Sequence, residues 1–310
     1  MANDFLTVAD MVADAYDLSP YETSEVRAAA PVVAALPAVP ASDGVYHKQS
    51  VMTALPVTGF RLENAGRDFD HSTDRIDTVN LQILDWSWAV DKAVADSSRF
   101  NGGREYYIAR EGLRHVQSAM FVLENQWING SVYNANGFLG LGDSTNLQSI
   151  SDDMVVDAGG SAANATTSVY MLRRNSGECG MVYKGDGAVE LGETVVQNFL
   201  DATGKNFPAY YTPGCGWFAG FFGSLYSAVR IVNLDATTGL TDDLIYEALE
   251  RFPAGHSPDM CIMNRTSQFA LRASRTATNA TGAPAPLVSD AAGIPVITTD
   301  AILNTEAVKV

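Results

Sequence analysis

The chain has 310 residues, 46% of them hydrophobic and 18% charged, so it can build one large or two modest cores and is not disordered throughout. Its 36 acidic and 20 basic residues give a formal net charge of −16, which disfavours a general nucleic-acid binder because acidic surfaces repel phosphates. Prolines interrupt the longest apolar run, 28–41, and the amino terminus is acidic. The sequence therefore predicts no membrane span and no secretory signal, and we expect folding in the cytoplasm.

The amino-terminal segment predicts an arm rather than a domain. Apolar side chains at helical spacing predict a short helix over residues 4–17. The stretch 28–41 is rich in Ala, Val and Pro, and proline cannot continue a helix. Because linkers are usually polar, this apolar stretch is more typical of an extended arm that lies on another surface.

A long β-hairpin is predicted next. Val45–Leu55 is typical of a strand, and Ile76–Ile83 alternates with Val79, Leu81 and Ile83 on one side. Between the strands, Arg61–Arg75 is densely charged and should face solvent or a partner. A two-stranded arm is marginally stable in water, so we expect its own body or a neighbouring molecule to support it.

The clearest helix is Arg104–Asn129, which Gly130 ends. Its length of about 39 Å suits a structural spine. Apolar side chains follow the helical period and form one stripe: Ala109, Leu113, Val116, Met120, Leu123 and Trp127.

The rest of the chain predicts a mixture of strands and helices without strict alternation, hence an α+β fold. Turn residues at 174–177 favour a hairpin between Ser168–Arg173 and Gly180–Tyr183. Further elements are predicted from apolar runs and capping residues: strands Val229–Leu234, Met260–Met263 and Pro295–Thr298, and helices Thr241–Phe252 and Thr266–Ser274.

Sequence patterns for catalysis or metal binding are incomplete. Gly140 and Gly142 begin a dinucleotide pattern, but a loop precedes them instead of a strand. Asp68, Asp70 and Asp74 open like a calcium loop that lacks its central glycine and final glutamate. We therefore predict no catalytic residue, no cofactor and no metal site.

Cysteine and aromatic residues are interpreted in the same way. Cys261 and His256 are close in sequence, but Cys261 lies in an apolar run where a thiol is normally buried and inert. Three cysteines without metal spacing are expected to be reduced and structural. The aromatic cluster 217–222 is expected to belong to the core or to a subunit contact.

The order of arm, hairpin, spine helix and α+β remainder resembles that of tailed-bacteriophage major capsid proteins with the Hong Kong 97-type fold. Ordered short segments carry this resemblance over about residues 5–305. They are Leu55-Pro56, Arg61, Asn64-Ala65-Gly66, Val90-Asp91-Lys92, Phe138-Leu139-Gly140-Leu141, Thr167-Ser168-Val169-Tyr170, Val182-Tyr183-Lys184-Gly185, Leu191-Gly192-Glu193, Trp217-Phe218-Ala219-Gly220, Arg230-Ile231-Val232-Asn233 and Met263-Asn264-Arg265.

The resemblance implies four regions: an N-terminal arm (1–44), an extended loop (45–85), a peripheral domain (86–190) containing the spine helix 104–129, and a mainly axial domain (191–310) whose C-terminus returns to the peripheral domain. It also implies pentamers and hexamers that form an icosahedral shell around double-stranded DNA in the virion, assembled in the cytoplasm of the host bacterium. The implied partners are other copies of the chain, separate scaffolding and portal proteins, a possible decoration protein, and DNA bound without sequence-specific contact.

We hypothesise that charged residues of the extended loop pair across subunit boundaries: Arg61, Glu63, Arg67, Asp68, Asp70 and Arg75. Three alternatives remain open at this point. An encapsulin compartment protein has the same fold around a cargo enzyme. A soluble α+β enzyme would use Cys261 and His256, or the three aspartates, and a tail or decoration protein would form rings, tubes or attached trimers.

Overall fold

The computed structural model describes residues 30–97, 103–143, 152–175, 177–185, 190–223, 225–279 and 282–309. The helix expected over residues 4–17 lies outside this part of the chain. Five α-helices are described: α1 Pro31–Ala35, α2 Lys92–Asp96, α3 Gly103–Asn129, α4 Asp242–Glu250 and α5 Arg265–Ala277.

Sixteen strands accompany the helices in the described residues, and their arrangement is mixed α+β, as predicted. They are β1 Ala38–Pro40, β2 Tyr46–Ala54, β3 Thr73–Asn80, β4 Gln82–Asp85, β5 Trp88–Asp91, β6 Val155–Asp157, β7 Thr167–Leu172, β8 Cys179–Tyr183, β9 Glu190–Leu191, β10 Val195–Leu200, β11 Asn206–Thr212, β12 Gly214–Phe222, β13 Ala228–Leu234, β14 Met260–Met263, β15 Asp290–Ala291 and β16 Ile294–Thr298.

Four sheets organise these strands. One sheet has the order β1-β8-β12-β4 with β9 also paired to β12, and a second has the order β15-β16-β14-β7-β13-β6. A three-stranded sheet, β10-β11-β5, lies beside the amino-terminal half of α3, and β2 and β3 form a separate two-stranded hairpin. The proline-rich stretch, which was expected to form an arm, joins the first of these sheets, because β1 pairs in parallel with β8.

Capping residues explain where the shorter helices begin. Thr241 accepts a hydrogen bond from the Leu244 amide at 3.4 Å, and Asn264 accepts one from the Ser267 amide at 2.8 Å. These bonds satisfy amides that have no partner inside the helix. Both predicted helices are confirmed, and α5 is longer than expected at both ends.

The main core lies between the two larger sheets and the carboxyl-terminal half of α3. Trp127 is fully buried there and donates from Nε1 to the Gly180 carbonyl at 3.2 Å. The predicted buried strand β14 and the aromatic residues Phe218, Phe221 and Phe222 belong to this core. A smaller core around Trp88 and Tyr210 packs under the three-stranded sheet.

The long helix α3 is confirmed, but its apolar stripe is only half buried. Leu123 and Trp127 are in the core, whereas Ala109 is exposed and Leu113 is 65% exposed. The first turns of the stripe are therefore not covered by the core. The main core surrounds only the carboxyl-terminal half of the helix, where all residues from Leu123 to Asn129 are buried.

The predicted hairpin between residues 168–173 and 180–183 was also wrong. Strand β7 is hydrogen-bonded to β13 on one edge and β14 on the other, and β8 lies between β1 and β12. Both strands are central, so neither has a free edge for the other. The chain instead passes from one large sheet, which contains β7, to the other, which contains β8.

The strand predicted over Ile76–Ile83 is divided in two at Leu81. The Leu81 side chain is buried, and its backbone amide donates a hydrogen bond to the Val45 carbonyl at 2.9 Å. These two contacts fix the base of the hairpin. β3 ends before Leu81, and β4 then joins the body sheet opposite β12. Ile83 is consequently exposed on an edge strand instead of lying on the same buried side as Leu81.

Candidate subunit interface

The β2–β3 hairpin carries an irregular end, residues 55–72, which we call the hairpin tip. The strands are antiparallel, with Tyr46 opposite Asn80 and Met52 opposite Asp74. At their far end the Thr53 hydroxyl donates to the Thr73 carbonyl at 2.9 Å. This pairing holds the two ends of the tip together.

The base of the hairpin is fixed to the body. His47 packs against Phe221 with ring centroids 5.8 Å apart, and Gln49 donates from Nε2 to the Gly177 carbonyl. Burial lowers the pKa of His47 below its ordinary value, which favours the neutral ring beside Phe221. The tip is thus projected from an anchored base.

Local hydrogen bonds shape the tip. Asp70 accepts from the amides of Val57 at 2.8 Å and His71 at 2.9 Å, and these bonds hold the pKa of Asp70 below its usual range. Arg61 donates to the Ala65 carbonyl at 3.2 Å across a turn in which Asn64 has a φ of 60°. The tip therefore has a defined course even without regular secondary structure.

The structure places five of the six predicted contact residues in the tip, and all are exposed. Arg75 instead lies in β3 and forms a two-pronged ion pair with Asp77, at 2.7 and 2.8 Å. Its charge is therefore matched within the hairpin. No ion pair in the described part of the chain involves the other five: Arg61, Glu63, Arg67, Asp68 and Asp70.

Large apolar side chains of the tip were missed by the sequence reasoning, which attended to its charges. Each is at least 73% exposed: Leu55, Val57, Phe60, Leu62 and Phe69. Exposed apolar groups concentrated in one segment are typical of a contact surface. The signal was present in the sequence, because a segment too charged for the core nevertheless contains two phenylalanines.

The catalytic alternatives receive no support from the geometry. Cys261 is fully buried, and burial raises the pKa of its thiol to about 12, so the nucleophilic thiolate is suppressed. His256 Nδ1 lies 2.7 Å from an Arg173 guanidinium nitrogen. Among the described residues no group of three or more acidic, histidine or cysteine side chains is arranged to hold a metal ion.

The glycines of the incomplete dinucleotide pattern have a packing role. A Cβ on Gly140 would lie 2.4 Å from the Gly130 amide nitrogen and 2.5 Å from the Gln126 carbonyl oxygen. Gly140 therefore allows the loop to approach the end of α3 closely.

No helix in the described part of the chain is both long and apolar enough to cross a membrane.

Comparison with known families gives one match over most of the chain. The model of the family described as major capsid protein GP7 matches residues 25–310. No curated protein matches the sequence.

Solved structures share the fold at low sequence identity. A chain of bacteriophage epsilon15 superimposes with a TM-score of 0.64 at 18% identity, covering 99% of this chain and 98% of that one. A chain of the bacteriophage JBD30 capsid gives a TM-score of 0.54 at 10% identity, covering 94% and 97%. The JBD30 capsid decorated with minor capsid protein trimers gives 0.54 at 10% identity, covering 96% and 99%.

Proposed function

Because the chain belongs to the GP7 family of major capsid proteins and has the Hong Kong 97-type fold, we propose that its hairpin tip joins neighbouring copies within an icosahedral shell. Pentamers and hexamers would be the building units. The shell would enclose the double-stranded DNA of a tailed bacteriophage, and its role is structural and not catalytic.

The observation that carries this proposal is the composition of the tip. Burying one large apolar side chain contributes roughly 1.5–3 kcal/mol, so the five exposed ones could supply a substantial favourable term on contact with another copy. Residues at the centre of an interface often supply most of its binding energy. Phe60 and Phe69 are the best candidates for such anchors.

The charges of the tip would set the register of this contact. Arg61 and Arg67 alternate with Glu63, Asp68 and Asp70, so the same surface offers both signs to a neighbour. Exposed ion pairs add little stability but select geometry and partner. We therefore assign affinity to the apolar residues and orientation to the charged ones.

The virion shell would be the final location of the chain, with assembly in the host cytoplasm. Scaffolding and portal proteins would act during assembly, and a decoration protein is a further candidate partner. A net charge of −16 suits a container that does not hold DNA tightly, because tight binding would oppose packaging and release.

The test replaces the anchors by Phe60→Ser together with Phe69→Ser. We expect the variant to fold normally but to lose assembly, seen by electron microscopy and by sedimentation. Val132→Ser is the control, because Val132 is also a largely exposed apolar residue but lies outside the tip. Shells that form equally well from the double variant would contradict the proposed role of the tip.

Arg67→Glu tests the charged residues separately. Placing an acid at this position creates like-charge contacts, so assembly should become slower or misdirected, and salt should relieve the defect by screening. Unchanged assembly and particle stability at both low and high salt would remove Arg67 from the interface.

Encapsulin remains the alternative with the same fold. The GP7 family match favours the phage protein. Nucleic acid inside purified particles would support the proposed function, whereas a specific cargo enzyme would support the alternative.

A further inference from the structure

A buried carboxylate on the spine helix α3 joins two segments that lie far apart in the sequence. Glu124 has no exposed surface. Its Oε2 accepts hydrogen bonds from the amides of Val32 at 2.7 Å and Val33 at 3.1 Å, and its Oε1 contacts the Thr299 hydroxyl. No ion pair with a described basic side chain compensates its charge.

The partners of Glu124 come from two separate segments. Val32 and Val33 belong to α1, at the base of the amino-terminal arm, and their amides lie in its first turn. Thr299 begins the carboxyl-terminal segment, and its hydroxyl oxygen also accepts from the Ala301 amide at 3.0 Å. One side chain of the spine helix therefore holds the arm base and the carboxyl-terminal segment.

This geometry suits either protonation state of the carboxyl group. When ionised, it accepts all three hydrogen bonds. When protonated on Oε1, it can donate to the Thr299 hydroxyl oxygen while Oε2 still accepts from both amides. The contacts are the same in number, but only the ionised form buries a net charge without a counter-ion.

The surroundings provide little compensation from other charges. α1 contains no titratable residue, and Asp300 on the carboxyl-terminal segment is paired with Arg265 at 2.9 Å. Arg174 reaches the other end of α1 through the Ala35 carbonyl, at 3.1 Å, but is paired with Asp259. On α3 itself the nearest described titratable residue is His115, about 13 Å along the helix axis.

We propose that Glu124 is a proton-linked tie that holds the arm base to the spine helix most tightly when protonated and more weakly when ionised. Opening of the arm base would expose the carboxyl group to water, where its charge is solvated. The closed state therefore binds the proton more tightly than the open state, and by linkage a rising pH favours opening. Burial also raises the pKa of Glu124 above its ordinary value, against the opposing effect of its hydrogen bonds.

The experiment is hydrogen–deuterium exchange on the unassembled full-length protein over a range of pH. Protection of residues 30–36 is measured in wild type and in Glu124→Gln. At each pH the wild-type protection is divided by that of the variant, which removes the intrinsic pH dependence of exchange. The amide side chain of this variant can still accept from both backbone amides and donate to Thr299, but it carries no charge. We expect wild-type protection relative to the variant to fall as the pH rises, by at most tenfold per pH unit, because one proton is linked to opening.

Glu105→Gln is the matched control, since Glu105 is on the same helix with its side chain 90% exposed, and it should follow wild type. A wild-type to Glu124→Gln ratio that stays constant with pH would overturn the proposal. Should Glu124→Gln fail to fold, wild type still decides the question. Protection of residues 30–36, corrected for intrinsic rates, must fall with pH relative to helix α5, and a constant relation between the two would overturn the tie.

Discussion

Arg230 and Glu306 form an ion pair at 2.8 Å, with side chains only 4% and 12% exposed. The Ser168 hydroxyl donates to the same Glu306 oxygen at 2.6 Å, and the Arg230 guanidinium lies over the Tyr170 ring, 5.2 Å from its centroid. The pair connects a central strand of the six-stranded sheet, β13, to the carboxyl-terminal segment. It is therefore a second fixed point of this segment, beside Thr299.

Removing Glu306 should be strongly destabilising. Glu306→Ala leaves the Arg230 charge buried without a partner, which typically costs about 3–5 kcal/mol. Chemical denaturation of the unassembled chain measures the loss in the free energy of unfolding. Glu247→Ala is the control, because its pair with Arg251 is exposed and should contribute less than about 1 kcal/mol. Similar losses in the two variants would contradict this account of the buried pair.

The stability of the whole chain should also depend on the Glu124 carboxyl. Its pKa in the folded state is raised above the ordinary value of 4.5, so its stabilising contribution is present below that value and lost as the pH rises through the folded-state pKa. Glu124→Gln has no such loss. The difference in unfolding free energy, variant minus wild type, should therefore grow as the pH rises above about 4.5.

Equilibrium denaturation of both proteins at several pH values measures this difference. Glu105→Gln again provides the control, with a difference that stays near zero. A variant-minus-wild-type difference that is constant or decreases with rising pH would show that burial does not dominate the ionisation of Glu124.

Two glycines of the spine region should respond oppositely to alanine. Gly130 has a φ of 56°, and a Cβ there would lie 1.7 Å from Asp143 Oδ2, so Gly130→Ala should cost about 2–5 kcal/mol. Gly112 is inside α3, where a Cβ would meet only Trp88 Nε1, at an ordinary 3.9 Å. Gly112→Ala should stabilise by about 0.5–1 kcal/mol. Thermal unfolding checks both, and a stabilising Gly130→Ala would contradict the described end of the helix.

The three cysteines should differ in reactivity. Cys179 and Cys261 are buried, and burial raises the pKa of both thiols, whereas Cys215 is exposed. Alkylation of the native unassembled chain should therefore modify Cys215 first, as mass spectrometry of its peptides would show. Denaturant should make all three reactive. Rapid modification of Cys261 in the native protein would contradict its placement in the core. The sequence-based expectation that all three cysteines are structural does not extend to the exposed Cys215.

Local signals in the sequence predicted local structure well. These signals depend on residues that are close in sequence, so they can be recognised without knowledge of the fold. They are the Thr241 cap, the apolar run Met260–Met263 and the helical spacing of apolar residues in α3. Pairing partners were not visible in the same way. β7 and β8 are consecutive strands, yet they do not pair with each other. β7 is hydrogen-bonded to β13 and β14, and β8 is hydrogen-bonded to β1 and β12.

In the candidate interface, too, composition was predictable from the sequence but contacts were not. The charges of the tip were evident from composition, but Arg75 could not be separated from them until its contact with Asp77 was known. Leu113 illustrates the converse case, because helical periodicity cannot say which part of a stripe the core will cover. The assignment of the four regions from arm to axial domain remains a prediction.

Copies of this chain are proposed to close into an icosahedral shell. Electron microscopy of the purified wild-type protein, expressed with and without its neighbouring genes, tests this most directly when combined with the ratio of nucleic-acid to protein absorbance. We predict closed icosahedral particles or five- and six-fold rings, with DNA in particles made alongside the packaging genes. Only small, uniform oligomers under all assembly conditions would contradict the account.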